Sequence, residues 1–245
     1  MKTYHLPVGL PNLPLSVKML FTGYLLTIGF GLMMAGAQIM LTHGMADGKP
    51  GLSVEDIAYS YHGNRDGTTL EAKLNGSMKD KASPEIRIEV IKWAREGAPA
   101  EQWESHFKAV FTENCTLCHN AESGLPDFSK LENVQHVATI DKGISIASLT
   151  KVSHIHLFGI SFIFILMGAI FAFAVGISEL KKAILISIPF AFLIIDVISW
   201  WLTKLNADFA WITIIGGYGY TMASTAMLLI SLYQMWILPI KQAKQ

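Results

Sequence analysis

The chain contains few cysteines and few charged residues. Cys115 and Cys118 are the only cysteines among its 245 residues, so no second cysteine pair is present to complete a four-cysteine zinc site. Charged residues make up 16% of the chain, against roughly 25% in average soluble proteins. The sequence also lacks a phosphate-binding loop, a nucleophile–base set and a glycosidase-like pair of carboxylates. These absences argue against nucleic-acid binding and against the common classes of hydrolase.

Four long hydrophobic runs account for the low share of charge. They cover residues 19–41, 152–177, 183–203 and 210–238, and a helix of about 20 residues suffices to cross a bilayer. The sequence therefore predicts an all-α integral membrane protein with four spanning helices, surrounded by membrane lipid. The first run is too long for a signal peptide and no clear cleavage site follows it, so we expect a retained anchor.

The positions of the lysines predict the orientation of these spans. Lysines lie before the first run, between the second and third runs, and after the fourth, at Lys2, Lys18, Lys181, Lys182, Lys241 and Lys244. The same three segments carry a single acidic residue, Glu179. The positive-inside rule then places segment 1–18 and the C-terminus in the cytoplasm. Segment 42–151 is expected on the opposite, periplasmic side of a bacterial inner membrane.

Segment 42–151 has the features of a small helical domain. It holds 16 acidic and 12 basic residues, a net charge of −4, which would favour a basic soluble partner. Ser53 and Asp56 form a capping-box pattern that predicts a helix through about residue 61. Ser83 and Pro84 predict a second helix that stops at Gly97. A third amphipathic helix runs into the cysteines, and no segment alternates as a strand would.

The pentapeptide Cys115-Thr116-Leu117-Cys118-His119 is the most specific motif in the chain. A C-x-x-C pair alone is also found in redox dithiols and zinc sites, but the thioredoxin-like pattern and the second zinc half-site are both missing. The complete motif resembles the haem-attachment site of c-type cytochromes. This resemblance implies one covalent haem c, with thioethers at Cys115 and Cys118 and His119 as the proximal iron ligand. It also implies attachment outside the cytoplasmic membrane, in agreement with the lysine pattern.

The second axial ligand of that haem is less well defined by the sequence. No methionine lies between His119 and Met167, but Met78 precedes the helix that starts after Ser83. The domain thus resembles a small cytochrome c with its chain order permuted, which implies Met78 as distal ligand. The alternatives are bis-histidine ligation through His62, His154 or His156, or an open sixth position.

Two further groups of residues are candidates for a membrane-side function. His154 and His156 open the second run, and His43 follows the first; together they could form a second site for haem b, copper or a quinone. Interfacial histidines satisfied by headgroups and water are the alternative. Asp196 is the only acidic residue inside a run. A carboxylate costs at least ~2.5 kcal/mol there, so it would handle protons or quinol, or form an interhelical hydrogen bond.

Together these features favour electron transfer as the function. Electrons would pass from quinol, or from a partner membrane subunit, to a soluble periplasmic electron-transfer protein. Three spans after the motif exceed what an anchor requires, which favours a partner subunit, a homo-oligomer or a lipid-soluble ligand. The alternatives are a haem-based ligand sensor and an accessory haem subunit of a larger respiratory complex.

Overall fold

Helices provide the regular structure of the chain. A computed structural model describes residues 9–44, 46, 47, 49 and 51–242; Lys2, Lys244 and much of the predicted segment 1–18 lie outside them. These described residues contain no strand, and the one isolated β-bridge among them joins Thr68 and Ile140. The prediction of an all-α protein is confirmed for this part of the chain.

Nine helices follow one another along the described residues. They are α1 (Leu15–Thr42), α2 (Val54–Tyr61), α3 (Thr69–Asn75), α4 (Pro84–Arg95), α5 (Ala100–Gln102, a π-helical turn Trp103–Phe107 and Lys108–Asn114), α6 (Leu131–Val137), α7 (Ile146–Ala172), α8 (Glu179–Leu205) and α9 (Ala210–Leu232, a π-helical turn Tyr233–Ile237 and Leu238–Gln242). Short 3₁₀ turns lie at Leu10–Asn12, Lys79–Lys81 and Ala207–Phe209.

Four of these segments are long and apolar enough to cross a membrane. They are α1, α7, α8 and the stretch Ala207–Lys241 that contains α9, as the four hydrophobic runs predicted. The predicted bounds of the second span, 152–177, are wrong. Helix α7 begins six residues earlier, where the Ser145 hydroxyl accepts the Ser148 N–H at 3.1 Å. It ends at Ala172, before a turn in which Gly176 has φ +74°. The predicted and observed bounds differ because hydropathy marks the apolar stretch of the chain and does not mark the helix ends.

The chain divides into two compact units. The first, here called the bundle unit, comprises the chain up to Ala37, Leu149–Ser199 and the chain from Ile212 onward. The second, here called the motif unit, comprises Gln38–Ser148 and Trp200–Trp211. The connection between α8 and α9 therefore packs with the segment that carries the C-x-x-C-H motif. The lysine pattern predicts that both lie on the same side of the membrane, and this stays a prediction.

Within the bundle unit, three chain segments meet at one end. The Leu10 N–H donates to the Phe173 carbonyl at 2.9 Å, and the buried Gln234 side chain bonds both backbone groups of Val175. Lys182 donates to the Ala172 carbonyl at 3.1 Å and pairs with Glu179 at 2.6 Å. We call this the lysine end of the bundle unit, because Lys182 and its neighbours lie there.

Close helix contact in the bundle unit depends on glycine. A Cβ at Gly216 would lie 2.7 Å from the Asp196 Cβ, and one at Gly219 would lie 2.2 Å from the Phe192 ring. Helices α8 and α9 therefore pack through these small residues, as predicted for membrane helices. The small residues Gly31 and Ala35 of α1 are exposed and make no such contact within the described structure.

The motif unit has its own hydrophobic core between α4 and α5. Trp93 is 2% exposed and stacks on Phe107 with ring centroids 4.2 Å apart. The predicted capping box at Ser53 and Asp56 is present, with both reciprocal bonds at 2.9 Å. The Ser83 cap of α4 is present as well. Helices α3 and α6 complete the core and were not predicted.

A backbone hydrogen bond between Ser60 and Ile144 joins the early and late segments of the motif unit, and we call this contact the clasp. The Ile144 N–H donates to the Ser60 carbonyl at 3.0 Å. Next to it, Gly63 and Gly143 have φ +90° and +64°, and a Cβ on either glycine would lie within 2.5 Å of the backbone of the segment that contains the other. Only glycine permits both this left-handed conformation and this approach.

Candidate functional site: the C-x-x-C-H motif and its surroundings

The C-x-x-C-H motif continues the last turn of α5. The Cys115 N–H donates to the Phe111 carbonyl at 2.8 Å, and the His119 N–H donates to the Cys115 carbonyl at 2.9 Å. Phe111 is 1% exposed and anchors this turn in the core of the motif unit. The helical spacing keeps both cysteines and the histidine on one short turn, as a single haem would require.

His119 is held from two directions. Its Nδ1 donates to the Pro126 carbonyl at 3.2 Å, and its ring stacks on Phe128 at 4.3 Å with 9° between the planes. The hydrogen bond fixes the tautomer, which leaves the lone pair on Nε2 for a metal. Donation of one ring nitrogen to a backbone carbonyl is the usual arrangement of a metal-ligating histidine.

The two cysteines differ in their surroundings. Cys115 is half-buried against the hydrophobic core, and burial raises the pKa of its thiol to about 11. Cys118 is exposed, and both thiols are free of disulfide bonds. Catalytic dithiols depend on a thiol whose pKa is lowered. The raised pKa of Cys115 therefore argues against a disulfide oxidoreductase and agrees with a structural attachment role.

Met78 borders the same hydrophobic core as Cys115. It is half-buried, packs against the cluster that contains Phe111 and Phe128, and immediately precedes the 3₁₀ turn Lys79–Lys81. The core therefore has the predicted distal ligand on its edge together with Cys115, and Phe128 joins it to His119. The role of Met78 as distal ligand stays a prediction.

Two arginines of α4 hold the segment that leads to Met78. Arg95 pairs with the buried Glu71 of α3 at 2.5 Å. This hydrogen bond and the positive charge of Arg95 hold the pKa of Glu71 below its usual range. Arg87 donates from Nη1 to the Leu74 carbonyl at 3.1 Å. Its Nε is buried and has no acceptor among the described residues, so this donor would fit a carboxylate of a bound group.

Two other histidines of the motif unit have protein partners. Nδ1 of His62, an alternative distal ligand, donates to the Lys204 carbonyl at 3.3 Å. Nε2 of His106, on the exposed side of α5, contacts Glu89 at 2.7 Å. The contact of His62 uses Nδ1, whereas the contact of His106 uses Nε2. His62 therefore stays a predicted alternative to Met78.

His43 lies in a stack of aromatic rings in the motif unit. Its ring is 6.4 Å from that of Tyr61, which is 5.8 Å from Trp200. Ser60 gives its hydroxyl proton to the Asp56 carbonyl, so Nδ1 of His43 must donate to Ser60 at 2.8 Å. Burial of the ring, the nearby Lys73 charge and an opposing effect of Asp56 together lower the pKa of His43.

His154 and His156 lie in the regular part of α7 and differ in exposure. His154 is exposed beside Phe158, whereas His156 is half-buried and donates from Nδ1 to the Val152 carbonyl at 2.9 Å. Among the described residues, no group of three or more His, Cys, Asp or Glu side chains is placed to hold a metal ion. The predicted second site with His43 for copper, haem b or quinone stays a prediction.

Asp196 lies at one of the close contacts of α8 with α9. It is 3% exposed, and the backbone of Gly216 faces it. One turn on, Ser199 donates to the Asp196 carbonyl at 2.6 Å and shares a hydrogen bond of 2.7 Å with Thr213. Asp196 is thus embedded in a small polar cluster of the bundle unit, as the predicted roles in proton handling or interhelical bonding both require.

The residues around the motif fit a covalently bound haem. The free Nε2 lone pair of His119 matches an iron, and the two thiols on one turn match two vinyl groups. A surface cleft of about 560 Å³ lies elsewhere, between α5 and residues 129–132, and its lining contains none of the predicted site residues.

Pro126, Phe128 and Arg87 are parts of the site that the sequence did not predict. Pro126 acts through its backbone carbonyl, and Phe128 through the position of its ring beside His119. Such roles depend on the path of the chain after the motif and have no residue-type pattern. Arg87 had a weak signal, since a cation inside an amphipathic helix that packs on a core needs a partner.

Comparison with known families supports the membrane part of this description. Residues 127–244 match the model of the family Aq_1264_TM, described as a transmembrane helical domain. No curated protein and no solved structure matches the chain. The match covers slightly less than half of the chain and begins after the motif. It therefore marks α7, α8 and α9 as part of a transmembrane helical domain.

Proposed function

We propose that the protein is a membrane-bound c-type cytochrome with one haem, which transfers electrons between quinol or a partner membrane subunit and a soluble periplasmic acceptor. The hydrogen bond from His119 Nδ1 to the Pro126 carbonyl carries this proposal. It presents Nε2 for iron ligation directly beside two free thiols. The raised pKa of Cys115 disfavours the competing dithiol function.

Each residue of the site would have a distinct role in holding the haem. Addition of the Cys115 and Cys118 thiols across two vinyl groups forms C–S bonds and moves each thiol hydrogen to carbon, with no net oxidation. His119 would bind the iron through Nε2, with Phe128 against its ring. Met78 would supply the second ligand of the iron, and a thioether ligand favours ferrous iron. When bound, the haem supplies a one-electron iron couple.

The decisive experiment measures covalent haem. The protein purified from membranes is expected to carry one covalent haem per chain, detected by mass spectrometry and by haem staining after denaturing electrophoresis. The double variant Cys115→Ser, Cys118→Ser should lose the covalent haem. His119→Ala should lose its normal spectrum, whereas the control His106→Ala, on the same helix and paired with Glu89, should keep both. Zinc in place of haem in the wild type would overturn the proposal.

The quinol part of the proposal depends on Asp196. Asp196→Asn should leave the haem content intact and slow the reduction of haem by quinol, because the amide cannot accept a proton. Asp208→Asn, in the exposed connection before α9, is the matched control. Equal reduction rates in all three proteins would favour a partner subunit as the electron donor.

A further inference from the structure

One face of α9 carries buried hydroxyl groups that the proposed electron transfer does not use. At 100° per residue, Thr213, Tyr220, Ser224 and Ser231 lie within about 40° of one another around the helix axis. Ser224 is fully buried and Ser231 is 1% exposed. Serine and threonine are common where membrane helices pack, and their hydroxyls there normally have hydrogen-bond partners.

Two of these hydroxyls lack a partner. The Oγ atoms of Ser224 and Ser231 are buried without a hydrogen-bond partner among the described residues. Buried hydroxyls of this kind are normally satisfied by internal water. Water beside both serines would turn the stripe into a hydrated line within the bundle unit.

The stripe has a polar group at each end. At the lysine end, Gln234 is 6% exposed and bonds the backbone of Val175. At the other end lies Asp196, next to Gly216. Gly216 and Gln234 are 18 residues apart, or about 27 Å along the helix. The line thus extends over most of a bilayer.

We propose that this stripe is a proton path from the lysine end of the bundle unit to Asp196. Tyr220, Ser224 and Ser231 relay protons through internal water, and the Asp196 carboxylate accepts and releases them. The least polar part lies between Ser224 and Ser231, about 10 Å beside Met227, where water must bridge the hydroxyls. The path shares Asp196 with the quinol part of the proposed function and rests on it there, but it involves no residue of the haem site, so loss of covalent haem in the cysteine variants would leave the path intact.

Infrared spectroscopy of Asp196 tests the path. The carboxyl band of the full-length protein in lipid is assigned with Asp196→Asn, and its hydrogen–deuterium exchange is timed after transfer to D₂O. Ser224→Ala and Ser231→Ala should slow the exchange at least tenfold, and Ser231→Thr, which retains the hydroxyl, should keep the wild-type rate. Thr225→Val, on the exposed side of the same helix, is the matched control and should exchange like wild type.

The direction of entry is tested with Thr213, which lies beyond Asp196. Thr213→Val should leave the exchange rate unchanged if protons arrive from the lysine end. Slowing by Thr213→Val and none by Ser231→Ala would show entry from the opposite end and overturn the proposal. Equal rates in wild type, Ser224→Ala and Ser231→Ala would overturn it as well, as would a slowing by Thr225→Val equal to theirs.

Discussion

At the scale of single residues, the two ring nitrogens of His119 have different tasks. Nδ1 is committed to the Pro126 carbonyl, so Nε2 retains its lone pair. His43 and His156 have the same Nδ1 donation, to Ser60 and to the Val152 carbonyl respectively. What distinguishes His119 is the neighbouring pair of free thiols. In the proposed function, this pair of thiols is the feature that selects His119 from the other histidines.

The first residue-scale prediction concerns the distal ligand. Met78→Ala should open the sixth position, so that ferric haem shifts towards high spin and binds external ligands. Met78→His should keep low spin and lower the reduction potential, because a second imidazole favours ferrous iron less than a thioether does. Absorption spectra and redox titration measure both effects.

A packing control separates ligation from folding. Ile86→Ala removes a neighbouring side chain that packs on the same core and should leave spin state and potential unchanged. If Met78→Ala behaves like Ile86→Ala, the ligand is elsewhere, and His62, His154 and His156 are the next substitutions.

The second residue-scale prediction concerns pH. The hydrogen bond and charge of Arg95 lower the pKa of Glu71, so this pair stabilises the motif unit above the ordinary glutamate pKa. The stabilisation is lost as pH falls through the lowered value. Glu71→Gln should therefore reduce the denaturation midpoint at pH 7 and weaken its dependence on pH in the acidic range. Glu89→Gln, which affects an exposed pair, should change the midpoint little; an equal change in both variants would contradict this account.

At the scale of elements, the core between α4 and α5 positions the motif. Trp93, Trp103 and Phe107 form a stacked group whose closest ring centroids are 4.2 Å apart, and Phe111 continues it to the turn that carries Cys115. Helix α3 is tied to α4 by Glu71 and Leu74. The motif and the Met78 segment are therefore both fixed by α4.

Loss of this core should be costly. Trp93→Ala should destabilise the motif unit by about 3–5 kcal/mol, as for large aromatic truncations in other cores. Hydrogen exchange of peptides from α4 and α5 measures the change in local stability. Ile88→Ala, on the exposed face of α4 (68% exposed), should cost little. Equal protection in the two variants would show that the Trp93 stack does not hold the helices.

The elements that could be predicted are those with strong local signals. The caps at Ser53 and Ser83 defined α2 and α4 because their hydrogen bonds lie within four residues. Helices α3 and α6 have seven residues each, too few for a clear periodicity. The C-x-x-C-H motif predicted Cys115, Cys118 and His119 as candidate site residues, because the motif is defined by the spacing of its residues alone. Pro126 and Phe128 depend on tertiary path and could not be predicted.

At the scale of the whole molecule, the predicted topology assigns two sets of residues to opposite sides of the membrane. The lysine end of the bundle unit gathers Leu10, Phe173 and Gln234. The motif unit gathers the connection between α8 and α9, where His62 contacts Lys204. Each span thus has one end in each set, and the net charge of −4 belongs to segment 42–151 on the motif side.

Reporter fusions test this orientation. A fusion after Lys142 should report the periplasm, and a fusion after Lys182 should report the cytoplasm, because lysine-rich connections stay inside. Alkaline phosphatase and green fluorescent protein activities distinguish the two compartments. A cytoplasmic signal after Lys142 would be incompatible with haem attachment at Cys115.

The clasp around Ser60 has a consequence for how the chain can be rearranged. Ser60 binds His43 through its hydroxyl and Ile144 through its carbonyl, so the segments that follow α1 and precede α7 meet at nearly one point. A segment whose two ends are fixed together in this way is modular. A short turn should therefore be able to replace the residues between Gly63 and Gly143 without loss of membrane insertion. Another folded domain should be able to replace them in the same way.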